Sequence, residues 1–149
     1  LKGGTAVVSG RGEFCRYVEW PFDFTYVLVF PGFGVSTAWA YGSLKGFCDD
    51  GGVYARMTEH LMDSSLGLDE FLTSLVNDFE PTVIEANPRI GEVKHILMTH
   101  GALNAIMSGS GSSVIGIFDD DDKARSSAKA MRNQFDSVFV AGSVGSIGS

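Results

Sequence analysis

The stretch Leu103–Phe118, LNAIMSGSGSSVIGIF, decides how the rest of the chain is read. Leu103 to Met107 and Ser113 to Phe118 each read as a strand, and between them stand five residues with almost no side chain, Ser108-Gly109-Ser110-Gly111-Ser112. Two apolar runs joined by so short a loop form a hairpin, because its glycines supply the positive φ that a tight reversal needs.

Helical patterns flank this hairpin on both sides. Upstream, Val93, Ile96 and Leu97 make an apolar stripe closed by Gly101 in a C′ position, and Pro81 opens a helix through Val83 and Ile84 that Pro88 interrupts. Before them, Leu68, Phe71, Leu72, Leu75, Val76 and Phe79 fall at i, i+3, i+4, i+7, i+8 and i+11, which predicts one continuous amphipathic helix. Ser36 is placed to cap a helix with Ala40, Leu44 and Phe47 inward and Tyr41 at its edge, ended by Cys48-Asp49-Asp50-Gly51-Gly52; no regular element is predicted between that end and Leu68. Phe24–Phe30 is apolar on both faces, as a covered strand requires, and stops at Pro31-Gly32-Phe33-Gly34. Downstream, Asp119 to Asp122 precede a helix with Ala124, Ala128, Met131 and Phe135 inward, and Val138-Phe139-Val140 is a last strand.

From Phe24 the order is therefore β-α-β-β-α-β with extra helices in the first crossover, an α+β plait of the ferredoxin-like kind. A short β-hairpin precedes it, Thr5 to Ser9 and Glu13 to Val18 about Gly10-Arg11-Gly12, broken off at Trp20-Pro21. The expected organisation is residues 1–21 as a hairpin and 22–149 as the plait, with the Gly/Ser-rich end Gly142 to Ser149 frayed. Because Leu1 leads at once into the strand-like Gly3-Gly4-Thr5-Ala6-Val7-Val8, the chain reads as part of a longer polypeptide.

Composition narrows the function. In 149 residues, 44% hydrophobic and 11% aromatic content suits one ordinary domain with a core of its own. No apolar run approaches the roughly 18 residues that span a bilayer, and no basic stretch followed by an apolar one opens the chain. A formal charge of −7, with 11 Lys and Arg spread thinly, argues against binding a nucleic-acid backbone. Cys15 and Cys48 are too few for a disulfide scaffold and read as reduced thiols in a cytosolic type of compartment. His60, His95 and His100 show no i,i+4 pairing and no adjacent Cys, so no transition metal is expected.

Three motifs bear on chemistry. The bare loop is either a plain hairpin connection or an anion nest, in which successive N–H groups and small hydroxyls face a phosphate. Asp119-Asp120-Asp121-Asp122 suits the start of a helix and lacks EF-hand spacing for a cation. Asn77-Asp78-Phe79-Glu80 could supply catalytic carboxylates, or its side chains could satisfy backbone groups at a helix end. No GxSxG, Cys–His pairing or Walker loop is found, so no catalytic residue is assigned.

Taken in order, Gly3-Gly4-Thr5-Ala6, Ser9-Gly10-Arg11-Gly12-Glu13, Pro31 with Gly34-Val35-Ser36-Thr37-Ala38 and Tyr41, Asn77-Asp78-Phe79-Glu80-Pro81, Gly101-Ala102 and Met107 to Ser112 resemble the 4-diphosphocytidyl-2-C-methyl-D-erythritol kinases of the GHMP kinase superfamily. The resemblance runs from Gly3 to about Gly142. It implies the C-terminal, substrate-side domain of an ATP-dependent kinase that phosphorylates the 2-hydroxyl of a CDP-linked methylerythritol in non-mevalonate isoprenoid synthesis, in the cytoplasm or a plastid stroma. It further implies that residues 1–21 are the tail of a missing N-terminal domain of the same chain. That domain would carry a PxGxGLGGxSS loop, the catalytic Lys and Asp, and most contacts to ATP and Mg²⁺, leaving this piece inactive and without a cofactor on its own. Tyr41 would stack on the cytosine, Thr37, Ser36 and Val35 would border that pocket, and Ser108, Gly109, Ser110, Gly111 and Ser112 would lie beside the nucleotide phosphates. Trp39 stands where the family more often has a polar residue. On the residues alone, the alternative is that Tyr41 packs in the core beside Leu44. A kinase of the homoserine or mevalonate type and a non-catalytic ferredoxin-like ligand sensor stay open as alternatives.

Overall fold

A computed structural model of the chain describes residues 5–44, 46 and 52–143. In chain order the elements are β1 (Thr5–Ser9), β2 (Phe14–Val18), β3 (Thr25–Phe30), α1 (Thr37–Gly42), α2 (Gly52–Met62), α3 (Leu68–Ser74), α4 (Glu80–Ala86), α5 (Pro88–Thr99), β4 (Asn104–Met107), β5 (Val114–Phe118), α6 (Asp121–Met131) and β6 (Ser137–Gly142). They belong to two units, one drawn from residues 1–23, 49–74 and 143–149, the other from 24–48 and 75–142.

The second unit contains the plait. Its sheet has the order β4-β5-β3-β6 with every neighbouring pair antiparallel. Met107 faces Val114 across the hairpin, Val27 faces Gly116 and Val140, and the bare loop joins β4 to β5 as the sequence predicts. α5 lies over β4 and β5, and α6 over β3, β5 and β6. Between helices and sheet, Val27, Val29, Val93, Leu97, Met107, Val114, Phe118, Ala124, Ala128 and Met131 are shielded from solvent. Gly116 in mid-strand lets the α5 side chains approach closely: a Cβ there would come 3.0 Å from Leu97 Cδ2, so that side chain would have to give way.

Helix ends follow local chemistry. Asp120 caps α6 by accepting from Lys123 N at 2.8 Å, with Asp121 and Asp122 in the first turn, which accounts for much of the acidic run. Asp121 also accepts from the Thr25 hydroxyl, and that bond, with lesser help from Arg125, holds its carboxyl below the usual range. Pro81 stands in the first turn of α4 and Pro88 begins α5. Ser36 caps α1, accepting from Trp39 N at 3.3 Å, but the helix ends at Gly42, where Ser43 N turns back onto Trp39 O and Ala40 O. Leu44 thus lies beyond the helix, while Phe47, Cys48, most of the expected helix end and all but the start of the Gly142–Ser149 tail lie outside the described residues, as do Gly3 and Gly4.

The long helix expected over Leu68–Phe79 is not continuous. α3 stops at Ser74, Leu75 to Asn77 are non-helical, and Glu80 begins α4. Thr73 and Ser74 hydroxyls bond back to Asp69 O, Glu70 O and Phe71 O, and Asn77 spends its side chain elsewhere in the fold, so the polar residues override the apolar spacing. The segment before α3 is more regular than expected, since it forms α2, whose Val53, Met57 and Leu61 recur at i, i+4 and i+8.

In the first unit β1 and β2 pair antiparallel from Thr5↔Val18 to Ser9↔Phe14. Trp20 packs edge-on against Phe22 and Phe71, with centroids 5.3 and 5.0 Å apart. His60 Nδ1 lies 2.8 Å from the Glu70 carboxylate, tying α2 to α3. This hydrogen bond, aided by the charges of Glu70, Asp63 and Glu59 against a smaller desolvation, raises the imidazole pKa above its ordinary 6.5. A raised pKa means that the folded state binds the proton more tightly, so the stabilisation is complete below the ordinary pKa and is lost as pH rises through the raised one. Melting temperature should therefore fall more between about pH 5.5 and about pH 8 in the parent than in Glu70→Gln. An equal fall in both would remove the effect.

Candidate functional site

The expected site residues gather where α1 begins beside the β4–β5 loop. Thr37 Oγ1 and Ser110 Oγ are 3.0 Å apart, a direct hydrogen bond between the two stretches although they are 73 positions apart in sequence. Ser36 and Thr37 are exposed, and Val35 is half-buried against the core. Ser108 N donates to Ser113 O at 2.8 Å and Gly111 N to Ser108 O at 3.0 Å, which closes the loop as a tight turn.

Within the loop the five residues divide by role. Ser112 is 1% exposed and its hydroxyl donates to Phe33 O, so its side chain anchors the loop to the strand exit and does not face solvent. Gly111, at φ +93°, faces inward: a Cβ would stand 2.8 Å from Met107 Sδ and 3.4 Å from Val35 Cγ2. Gly109, at φ +55°, faces outward with nothing within 4 Å of the position a Cβ would take. Ser108 and Gly109 are exposed, and the N–H groups of Gly109 and Ser110 have no hydrogen-bond partner among the described residues. Bare main chain with open donors suits an approaching phosphate.

Tyr41 is 64% exposed, so it is not a core residue beside Leu44. Its ring is held edge-to-face by Phe79, centroids 4.9 Å apart at 79°. That leaves a flat, solvent-facing ring with a fixed support, the geometry that base stacking needs. Trp39, on the same short helix, is 42% exposed and forms part of the surface.

The segment Asn77-Asp78-Phe79-Glu80, placed from sequence at the end of a long helix, instead opens α4 and reaches the loop. Asn77 Nδ2 donates to Met107 O at 2.7 Å and Gly109 O at 2.9 Å, while its Oδ1 accepts from Phe79 N at 2.9 Å. Glu80 Oε1 accepts from Met107 N at 2.5 Å, and its other oxygen pairs with Lys94. Glu80 is thus committed to structure and not free as a base. Its signal was present in sequence as a polar run before a proline, but its partners were not. Among the described residues no three of His, Cys, Asp and Glu come together as a metal site.

Comparison with known proteins gives this arrangement a lineage. A 4-diphosphocytidyl-2-C-methyl-D-erythritol kinase of Syntrophotalea carbinolica is 40% identical over 129 residues, covering 87% of this chain and 44% of that protein. The chain spans about half the length of the curated relatives it matches. A solved structure of 4-(cytidine 5'-diphospho)-2C-methyl-D-erythritol kinase superposes with a TM-score of 0.70 at 26% identity, over 94% of this chain and 50% of that one. Homoserine kinase from Cytophaga hutchinsonii superposes with a TM-score of 0.72 at 20% identity, over 97% of this chain and 49% of that one, a likeness of fold alone. Residues 59–137, just over half of the chain, match the model of the GHMP kinases C terminal family. With the end of α2, all of α3 to α6, β4 and β5 inside that match, the chain belongs to the GHMP kinase family through its C-terminal domain.

Proposed function

We propose that this chain is the substrate-side half of an ATP-dependent kinase that phosphorylates the 2-hydroxyl of 4-diphosphocytidyl-2-C-methyl-D-erythritol. The observation that carries the reading is the hydrogen bond between Thr37 and Ser110, which sets an exposed aromatic ring and an open glycine–serine loop on neighbouring stretches of one unit. Relatives 36% to 40% identical and bearing that enzyme's name support the substrate class. Val35, Ser36, Thr37 and Tyr41 border the cytidine, with Tyr41 offering its π-face. Residues 108–111 bring main chain and hydroxyls to the nucleotide phosphates, and Ser112 holds the loop in place from beneath.

The open N–H groups and lack of side-chain bulk at Gly109 fit ATP, whose Mg²⁺ would neutralise charge on the transferring phosphoryl group. Positioning and charge stabilisation carry most of such a reaction, and positioning is what this half contributes. Residues 1–21 continue a preceding domain that brings the reactive groups, while 22–149 form the C-terminal domain. We place the enzyme in the cytoplasm; among the described residues no helix is long and apolar enough to cross a membrane.

A panel of alcohols offered to the full-length enzyme tests the reading. Turnover of the CDP-linked methylerythritol should exceed that of homoserine and mevalonate by at least about 100-fold in kcat/KM, the discrimination available to a site with polar contacts dedicated to one substrate. Comparable kcat/KM on homoserine or mevalonate would overturn it, and so would phosphotransfer by the isolated chain.

A further inference from the structure

The side chains of Asn77, Phe79 and Glu80 reach both parts of the site from a single four-residue segment. Asn77 commits both amide hydrogens to the loop, one to Met107 O at its root and one to Gly109 O near its tip. Glu80 takes the N–H of the same Met107, and Lys94 fixes that carboxylate from the other side. Met107 is therefore held at both its N–H and its carbonyl, at the point where the glycine–serine loop departs. Two positions from Asn77, Phe79 supports the Tyr41 ring at 4.9 Å and packs its own ring against the core.

A loop with two glycines and three serines has many accessible conformations, and ordering it only when ligand arrives weakens binding. Likewise an exposed tyrosine on a six-residue helix keeps its rotamer freedom unless something braces it. We propose that the segment Asn77–Glu80 is a positioning element that sets the spacing between phosphate-binding main chain and base-stacking ring, Asn77 and Glu80 acting on the loop and Phe79 acting on Tyr41. This rests on the site reading given under Proposed function. An amide is required at 77 because it must donate twice to carbonyl oxygens; a carboxylate of the same shape would repel both.

Steady-state kinetics of the full-length enzyme with ATP and the CDP-linked alcohol separate the two arms. Asn77→Asp should raise the KM for ATP by roughly tenfold or more, two hydrogen bonds being exchanged for repulsion. Phe79→Leu should raise chiefly the KM for the CDP-linked alcohol, and in a Tyr41→Ala background it should add less than about twofold, because a residue that acts through another loses its effect when that residue is gone. Melting temperatures accompany each variant; if Asn77→Asp fails to fold, Asn77→Ser, whose shorter side chain gives up both bonds without adding a charge, carries the test with an expected rise of about fivefold. Additive effects of Phe79→Leu and Tyr41→Ala, or an unchanged KM for ATP in the folded variant at 77, overturn the positioning role. Tyr41→Ala without effect on either KM sinks the site reading instead, so the two failures are told apart.

Discussion

If the proposed site reading holds, replacing Tyr41 by alanine in the full-length enzyme should raise the KM for the CDP-linked alcohol roughly five- to hundredfold, since base–aromatic stacking is worth about 1–3 kcal/mol and each 1.4 kcal/mol is a factor of ten. The change should fall on KM more than on kcat, because a cytosine remote from the reacting hydroxyl would stack equally in ground and transition states. Folding is checked by melting temperature: the ring is 64% exposed, and losing its edge-to-face contact with Phe79 should cost about 0.5–1.5 kcal/mol. Tyr41→Phe keeps the π-face and should keep the KM. Trp39→Ala is the internal control, two positions away on the same helix and therefore on a different face. A KM unchanged by Tyr41→Ala, or changed equally by Trp39→Ala, refutes the stacking role.

Gly111→Val is expected to destabilise the enzyme by about 2–5 kcal/mol and to abolish most activity. The left-handed backbone at φ +93° costs a side-chain-bearing residue about 1–2 kcal/mol, and forcing a Cβ to within 2.8 Å of Met107 Sδ adds about 1–3 kcal/mol of overpacking. Gly109 makes the comparison sharp. Its φ of +55° is one that asparagine adopts, and no atom lies within 4 Å of the Cβ position, so Gly109→Asn should cost under about 1 kcal/mol. Thermal melting of both variants of the full-length enzyme decides the matter: equal losses at the two positions would mean that the inward packing of Gly111 does not matter.

Much of the fold was legible because its signals are local. Apolar β-rich runs in Phe24–Phe30 and Ser113–Phe118, prolines at 81 and 88, Ser36 as a cap, the acidic run at the start of α6 and Gly101 after α5 each act within a few residues, and each appears in the structure where it was expected. Errors came where a local pattern met a distant demand. Leu75, Val76 and Phe79 continue the apolar spacing of α3, yet the helix ends at Ser74 because Asn77 is drawn 30 positions away to Met107 and 32 to Gly109. α1 stops at Gly42, short of the stripe that Leu44 and Phe47 seemed to extend.

The site divides along the same line. Residue types sufficed to propose a loop for phosphate and a ring for a base, since conformational freedom at glycine and a π-face at tyrosine are properties of the residues themselves. Only the tertiary structure decided that Ser112 turns inward to Phe33 while Gly109 stays open, that Tyr41 faces solvent, and that Thr37 meets Ser110. Those are contacts between segments tens of residues apart, brought together when the sheet order β4-β5-β3-β6 closes over one core, and no window of sequence short enough to read by pattern contains both partners.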